Sequence, residues 1–357
     1  MYSDITTEKT FTVASLPVVE LDDAEVDLSV GTLVLTVEGT VSKVFAGDAE
    51  AEFSQAETAL TIRGITGTAG SETEITVTTD VSIYTLSVFC ITKVISSAEE
   101  WNAVAATISE NKLDGYYVLS ADLDYAGKPA PKFCTPTWGG TQGFAGTFDG
   151  RGYLIKNLTI SVADGETADG QSFFGLTSAT AVIRNVGFVN AKIDSTANFR
   201  TGVVASFHYG TIENVFVQVT NPSDHSGAIA YSVWGTIRNC VAEQLNERTG
   251  SYGLCWTSFD GSTIENSYSV GADVLYRNGG DSPANAPETA TLKNFASFAE
   301  MKAAELDLSV FNGAFWDTEG GVPVVKGYKE MISVDGAILN DNALPVTDSL
   351  TIQSTCL

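Results

Sequence analysis

Hydrophobic and polar positions alternate with period two through much of this chain. In the first 94 residues the runs Thr32-Leu-Val-Leu-Thr-Val37, Glu74-Ile-Thr-Val-Thr-Thr79 and Tyr84-Thr-Leu-Ser-Val-Phe89 put every second side chain on one face, the pattern of half-buried strands. Turn-forming clusters at Ala46-Gly-Asp48 and from Gly64 to Ser71 separate these runs. Several short strands without helical periodicity predict a small sandwich of two antiparallel sheets over residues 1–94. At Ser97 the pattern changes. Ser97-Ala-Glu-Glu100 has the form of a capping box, and Trp101, Val104 and Ile108 share one helical stripe, which predicts a short amphipathic helix with an apolar face to cover something.

Beyond this helix a period appears. The tripeptides Ile155-Lys-Asn157, Ile183-Arg-Asn185, Ile212-Glu-Asn214, Ile237-Arg-Asn239, Ile264-Glu-Asn266 and Leu292-Lys-Asn294 place asparagines 28, 29, 25, 27 and 28 residues apart. A second series runs in phase upstream of the middle copies: Gly202-Val-Val-Ala-Ser-Phe207, Gly227-Ala-Ile-Ala-Tyr-Ser232 and Gly253-Leu-Cys-Trp-Thr-Ser258, with Phe173-Phe-Gly-Leu176 as a variant. Each repeat therefore holds at least two strands. A unit this short cannot bury its own apolar face, whereas stacked units can, so a parallel β-helix of about six coils is expected over residues 95–327. In that arrangement Ile or Leu faces inward, and each Asn faces inward at the strand end and bonds its equivalent one coil away, a ladder of Asn157, Asn185, Asn214, Asn239, Asn266 and Asn294. The residues between face solvent, and from Arg184 through Glu213, Arg238 and Glu265 to Lys293 their charges alternate in sign, as neighbouring strands favour. Residues 328–357 contain Ile332-Ser-Val-Asp and Ser349-Leu-Thr-Ile-Gln-Ser-Thr355, which read as strands of a tail too short to be a domain.

Charge narrows the classes of function. Against 19 Lys+Arg stand 44 Asp+Glu, a formal net charge of −25. A nucleic-acid footprint needs clustered bases, and anionic membrane surfaces repel this balance, so neither is an expected partner. No apolar run approaches the roughly 18 residues that span a bilayer. A hydrophobic content of 44% argues against disorder. The cysteines Cys90, Cys134, Cys240, Cys255 and Cys356 lack C-x-x-C spacing and define neither a disulfide framework nor a zinc site. The N-terminus has no basic stretch followed by an apolar one. It reads as a protein that stays in its cell, leaves by lysis within a particle, or was cut from a precursor.

Two resemblances carry specific motifs. Ala59-Leu-Thr-Ile-Arg-Gly-Ile-Thr-Gly67 with the strands at Glu74–Thr79 and Tyr84–Phe89 resembles bacterial immunoglobulin-like (Big) domains, which serve as spacer or adhesive modules. Gly143-Phe-Ala-Gly-Thr-Phe-Asp-Gly150 and Tyr153-Leu-Ile-Lys-Asn-Leu-Thr-Ile160, followed by the Gly-Thr-Ile-x-Asn units, look like the GLUG-type right-handed β-helices of bacterial surface proteins and related phage proteins. Tyr117 to Asp124 and Phe311 to Val325 match how such modules open and close. The second glycine of that family's pattern is Ala205, Ala230 and Trp256 here. The resemblance implies an all-β protein without enzymatic activity: a virion decoration or fibre protein whose acidic Ig-like end docks on other virion proteins, with a β-helix that reaches a host surface glycan or protein. A bacterial surface adhesin and a polysaccharide depolymerase are the alternatives, and homo-oligomers are compatible with either fold.

Individual residues add little chemistry to that expectation. Glycan hydrolysis needs two acids on one cleft; Asp122 and Asp124 sit close together, and Asp149 lies near Arg151 but belongs to a Phe-Asp-Gly turn, so no catalytic pair is expected. His208 and His225 read as exposed loop residues without further ligands. Gly64, Gly67 and Gly70 read as turn glycines, and the glycosylation triplet at Asn157 as accidental. No cofactor is expected beyond calcium, for which Asp22, Asp23, Asp27 and Asp48 offer oxygens without a D-x-D-x-D-G loop.

Overall fold

The structure, a computed structural model, describes residues 15–108, 113–131, 143–161, 171–194, 200–220, 226–245, 251–279, 284–311 and 313–326, with three short strands beyond them. The chain is predominantly β, and it divides into two compact units, Met1–Lys93 and Val94–Leu357.

In the first unit the alternating runs form strands Thr32–Thr36, Glu72–Thr79 and Ile83–Ile91. One sheet joins Glu72–Thr79 antiparallel to both Ile83–Ile91 and Val41–Ala46. The other joins Ala59–Arg63 antiparallel to Thr32–Thr36 and Glu52–Ala56. Leu33, Leu60 and Ile62 from the second sheet and Val44, Ile75, Val77, Leu86 and Val88 from the first belong to one buried cluster. The expected all-antiparallel pairing needs one correction. Val18–Glu20 and Ala24–Asp27 both run parallel to Ile83–Ile91, so the N-terminal segment zips along that long edge instead of forming a hairpin.

In the second unit every long-range ladder among the repeats is parallel. Ile183 pairs with Ile212, Ile212 with Ile237 and Ile237 with Ile264, so equivalent residues of successive repeats lie side by side. A second parallel sheet repeats the arrangement, with Ala205 beside Ala230 and Ala230 beside Cys255. The core follows from this register. Ile183, Ile212 and Ile237 form one fully buried row, and Ile155, Phe188, Val217 and Ala242 form another. At the start of the stack the helix Ala98–Ala105 carries the expected box: Ser97 Oγ accepts from the Glu100 amide at 3.2 Å, and Glu100 Oε2 accepts from the Ser96 amide at 2.7 Å. Its Trp101 is fully buried among Tyr117, Phe148, Phe173 and Phe174, with ring centroids 4.9–5.9 Å away. A second box, Ser297 with Glu300, begins the helix Phe298–Ala303.

The segment after that helix packs on one face of the parallel sheet. Phe311, Phe315, Trp316, Val322 and Val325 pack on the outward row Leu154, Phe216, Val241 and Tyr268 of the parallel sheet, forming a separate core. This row is Gly187 in the one copy that must leave room: a Cβ there would lie 2.7 Å from Leu154 Cδ2 and 3.2 Å from Val325 Cγ1. Beyond Lys326, the strands Ile332–Val334, Ala337–Leu339 and Ile352–Gln353 pair antiparallel with one another.

Trp316 and Gly187 test how firmly this segment is bound. Trp316→Ala is expected to cost about 3–5 kcal/mol and Gly187→Leu about 1–3 kcal/mol through overpacking, both read by urea unfolding. A loss below about 1 kcal/mol for Trp316→Ala would mean the outer core is not formed in solution.

Candidate functional site

The functional candidates lie at bends of the chain, within the strands Val182–Asp194 and Thr211–Thr220 and just after Thr236–Arg238 and Thr263–Glu265. Asn185, Asn214, Asn239 and Asn266 have φ of 53°, 51°, 52° and 45°. This left-handed conformation costs an ordinary L-residue about 1–2 kcal/mol, and Asn tolerates it better than most. Each follows an Ile-Arg or Ile-Glu pair at a sharp bend in the chain. The residues are half-buried, not fully inward, and their amides bond along the stack: Asn214 Nδ2 donates to Asn185 Oδ1 at 3.2 Å, and Asn185 Nδ2 to Asp149 Oδ1 at 3.0 Å.

Two of the six predicted ladder members stand elsewhere. Ile155-Lys156 pairs with Phe188-Val189, one bend beyond Ile183-Arg184. Asn157, also left-handed at φ 58°, therefore heads a separate row in which its Nδ2 donates to Asp124 Oδ1 at 2.9 Å and its Oδ1 accepts from Asn190 Nδ2 at 2.6 Å. Leu292-Lys-Asn294 pairs with Ser267-Tyr-Ser269, so Lys293 neighbours Tyr268 and not Glu265, and Asn294 Oδ1 accepts from Ser269 Oγ at 2.6 Å. In both cases the tripeptide recurs in sequence while the fold uses it on a different strand of the repeat.

The charge row gains a member in exchange. Asp149 lies beside Arg184, Arg184 beside Glu213, Glu213 beside Arg238 and Arg238 beside Glu265. Arg184 Nε reaches Asp149 Oδ2 at 2.9 Å, and Arg238 Nε reaches Glu213 Oε2 at 2.8 Å. Burial opposes the Arg184 charge, but Asp149 and Tyr116 more than offset it and hold its pKa above the ordinary value. Asp149 also accepts from the Arg151 and Asn185 nitrogens, which leaves its oxygens fully engaged. The pair considered for glycan hydrolysis is engaged in the same way. Asp122 accepts from the Leu154 amide at 2.8 Å and pairs with Lys156 at 2.7 Å. Asp124 accepts from Asn157 and the Ala126 amide, which lower its pKa. A general acid needs a raised pKa, so Asp124 is set as a hydrogen-bond acceptor.

His208 contradicts its reading as an exposed loop residue, because it is fully buried. Thr177 Oγ1 lies 2.8 Å from Nδ1, and Nε2 lies 3.2 Å from the Thr236 carbonyl. A carbonyl only accepts, so Nε2 carries the proton and Nδ1 accepts from Thr177. Burial lowers its pKa to about 4. His225, Cys134 and Cys356 lie outside the described residues, while Cys90, Cys240 and Cys255 are buried free thiols. Burial pushes the Cys240 thiol up to about 12. Asp27 accepts from the Ser29 amide and hydroxyl in a local turn. Among the described residues no three His, Cys, Asp or Glu gather as a metal site.

Aromatic side chains form a row that the sequence reading missed. Tyr209, Trp234 and Phe259 follow corresponding strands at equal 25-residue intervals. Their rings stack with centroids 4.7 Å and 4.4 Å apart and nearly parallel planes. Tyr231 stacks on Trp256 at 4.8 Å, and the Arg277 guanidinium lies 4.1 Å over the Trp256 ring. Stacked pairs contribute about 0.5–1.5 kcal/mol each beyond area burial, and cation–π pairs a comparable amount. Their constant spacing was the available signal. Comparison with family models, curated proteins and solved structures finds no match.

Asn239 separates bend geometry from amide bonding. Asn239→Gly is expected to change stability by only a few tenths of a kcal/mol, whereas Asn239→Ala loses about 1–2 kcal/mol. Equal effects in urea unfolding would refute the left-handed bend.

His208 makes stability depend on pH. Its folded pKa lies below the ordinary 6.5, so between about pH 6.5 and 4 the unfolded chain binds the extra proton and acid favours unfolding. Wild type is expected to lose about 2–3 kcal/mol more than His208→Gln between pH 7 and 4.5. Parallel pH profiles would show that His208 titrates normally.

Proposed function

We propose that this chain is a non-enzymatic structural and attachment protein: an Ig-like β-sandwich of the Big type joined to a right-handed parallel β-helix of GLUG type, working as a bacteriophage virion decoration or fibre protein. The observation that carries this reading is that the parallel ladders place the chemically distinctive residues in rows that bond to one another. Asp149, Arg184, Glu213 and Arg238 pair along the stack, the asparagines occupy bends, and Asp122 and Asp124 anchor backbone and amide groups. Groups committed in this way support a stiff rod, not a reacting centre. A coil rise of about 4.8 Å carries such a rod outward in proportion to its number of repeats.

The acidic end supplies the docking half of the proposal. Residues 1–94 contain 15 Asp+Glu and 4 Lys+Arg, so 15 − 4 gives 11 of the 25 net negative charges in about a quarter of the length. Such a surface fits a basic patch on a neighbouring virion protein, with attachment weakened by salt. The test is mass spectrometry of gradient-purified particles from a lysate of producing cells. The chain is expected in the particle fraction, and a wash at 1 M salt, where the Debye length is about 3 Å, should release it. Its absence from particles would overturn the virion assignment. Retention through the wash would overturn the charge-based docking alone.

A further inference from the structure

We infer that the free edge of the strand Thr263–Glu265 is a strand-addition site for an extended peptide that carries an apolar residue followed by Lys or Arg. In the last repeat, Ser267–Val270 is covered by Leu292–Phe295, and Cys255–Ser258 by Arg277–Asn278. Thr263–Glu265 pairs with Thr236–Arg238 on one side, and among the described residues no strand lies on its other side. Its inward residue records the difference: Ile183, Ile212 and Ile237 are fully buried, whereas Ile264 packs against the same core only in part. A cavity of about 370 Å³ opens at this place, lined by Ser258, Phe259, Ser262, Ile264, Tyr276 and Asn278. An unpaired parallel edge beside an open, largely polar cavity is where added strands bind, with backbone bonds giving affinity and alternate side chains giving selectivity.

The charge row defines the occupant. Asp149, Arg184, Glu213, Arg238 and Glu265 alternate in sign, and the row ends on the exposed Glu265. Arg238, its neighbour, directs its guanidinium to Glu213. A strand continuing the register places an apolar residue against Ile264 and a base beside Glu265. The segment after Lys326 offers one apolar–basic step, Tyr328-Lys329, but Glu330 follows at once and residues 327–357 hold Lys329 alone against Glu330, Asp335, Asp341 and Asp348. Charge therefore favours a segment of another protein.

The experiment uses the full chain and a fluorescein-labelled peptide copying Gly235-Thr-Ile-Arg-Asn239, with a second peptide in which the arginine is replaced by glutamate. Fluorescence anisotropy is expected to show the wild-type protein binding the arginine peptide at least about tenfold more tightly, a difference of about 1.4 kcal/mol. Glu265→Lys should reverse that preference while leaving the thermal unfolding midpoint near wild type. Hydrogen exchange should slow at residues 263–265 when the preferred peptide is added. Three results would overturn the proposal: no saturable binding by about 1 mM peptide, no reversal in Glu265→Lys, or protection elsewhere on the protein. The site stands independently of the virion assignment, so particles lacking the protein would leave this result unaffected.

Discussion

Parallel pairing of equivalent residues is the constraint on which the repeat unit depends. When Ile183 lies beside Ile212 and Ile212 beside Ile237, each row must consist of residues that tolerate their own kind as nearest neighbours. Apolar side chains satisfy this by dispersion and exclusion of water. Amides satisfy it because each is both donor and acceptor, so Asn214 can give to Asn185 while Asn185 gives to Asp149. Aromatic rings satisfy it by offset stacking, as Tyr209, Trp234 and Phe259 do. Charges alone fail the rule, and there the row alternates in sign.

Ends and exceptions show the same constraint at work. The first repeat has no earlier copy to cover its core, so a helix supplies Trp101 as the covering group. Gly150 replaces the bend asparagine in an early copy because a Cβ there would meet Asn185 O at 2.6 Å and Val186 Cβ at 2.5 Å. Asp149 then caps the amide row in place of a further asparagine, accepting from the Asn185 side chain and the Arg151 amide. The outward apolar row from Leu154 to Tyr268 obeys the pairing rule but not solubility, and the segment carrying Phe311, Trp316 and Val325 resolves that by covering it.

Much of this was legible in the sequence, and the failures have specific causes. The period, the parallel pairing, the alternating charges from Arg184 to Glu265 and the capping box at Ser97 all follow from local spacing, and each recurs in the structure. Asn157 and Lys293 were misplaced because one repeat has more than one bend, and Ile-x-Asn suits any of them; only pairing partners reveal which bend is used. The asparagines were taken for inward amides because a left-handed bend and an amide ladder select the same residue. His208 gave no sign of burial, since its partners Thr177 and Thr236 are about 30 residues away on neighbouring strands. The parallel pairing of Val18–Glu20 was hidden for the same reason: partner choice is a tertiary property.

The pairing rule also limits which charges can stand in register along the stack. Two carboxylates in register would sit about 4.8 Å apart and repel at every step of the stack. A row of such steps adds this cost repeatedly, so the bonded row balances Asp149 and Glu213 with Arg184 and Arg238. Acid outside those rows is spread over both units and is denser in the first. In the first 94 residues cross-strand partners are not copies of one repeat, and this stretch holds 15 Asp+Glu against 4 Lys+Arg. The balanced row lets the repeats stack without like charges in register, while the residues outside it still give the chain after residue 94 a net 25 − 11 = 14 negative charges, at a lower density than in the first 94 residues.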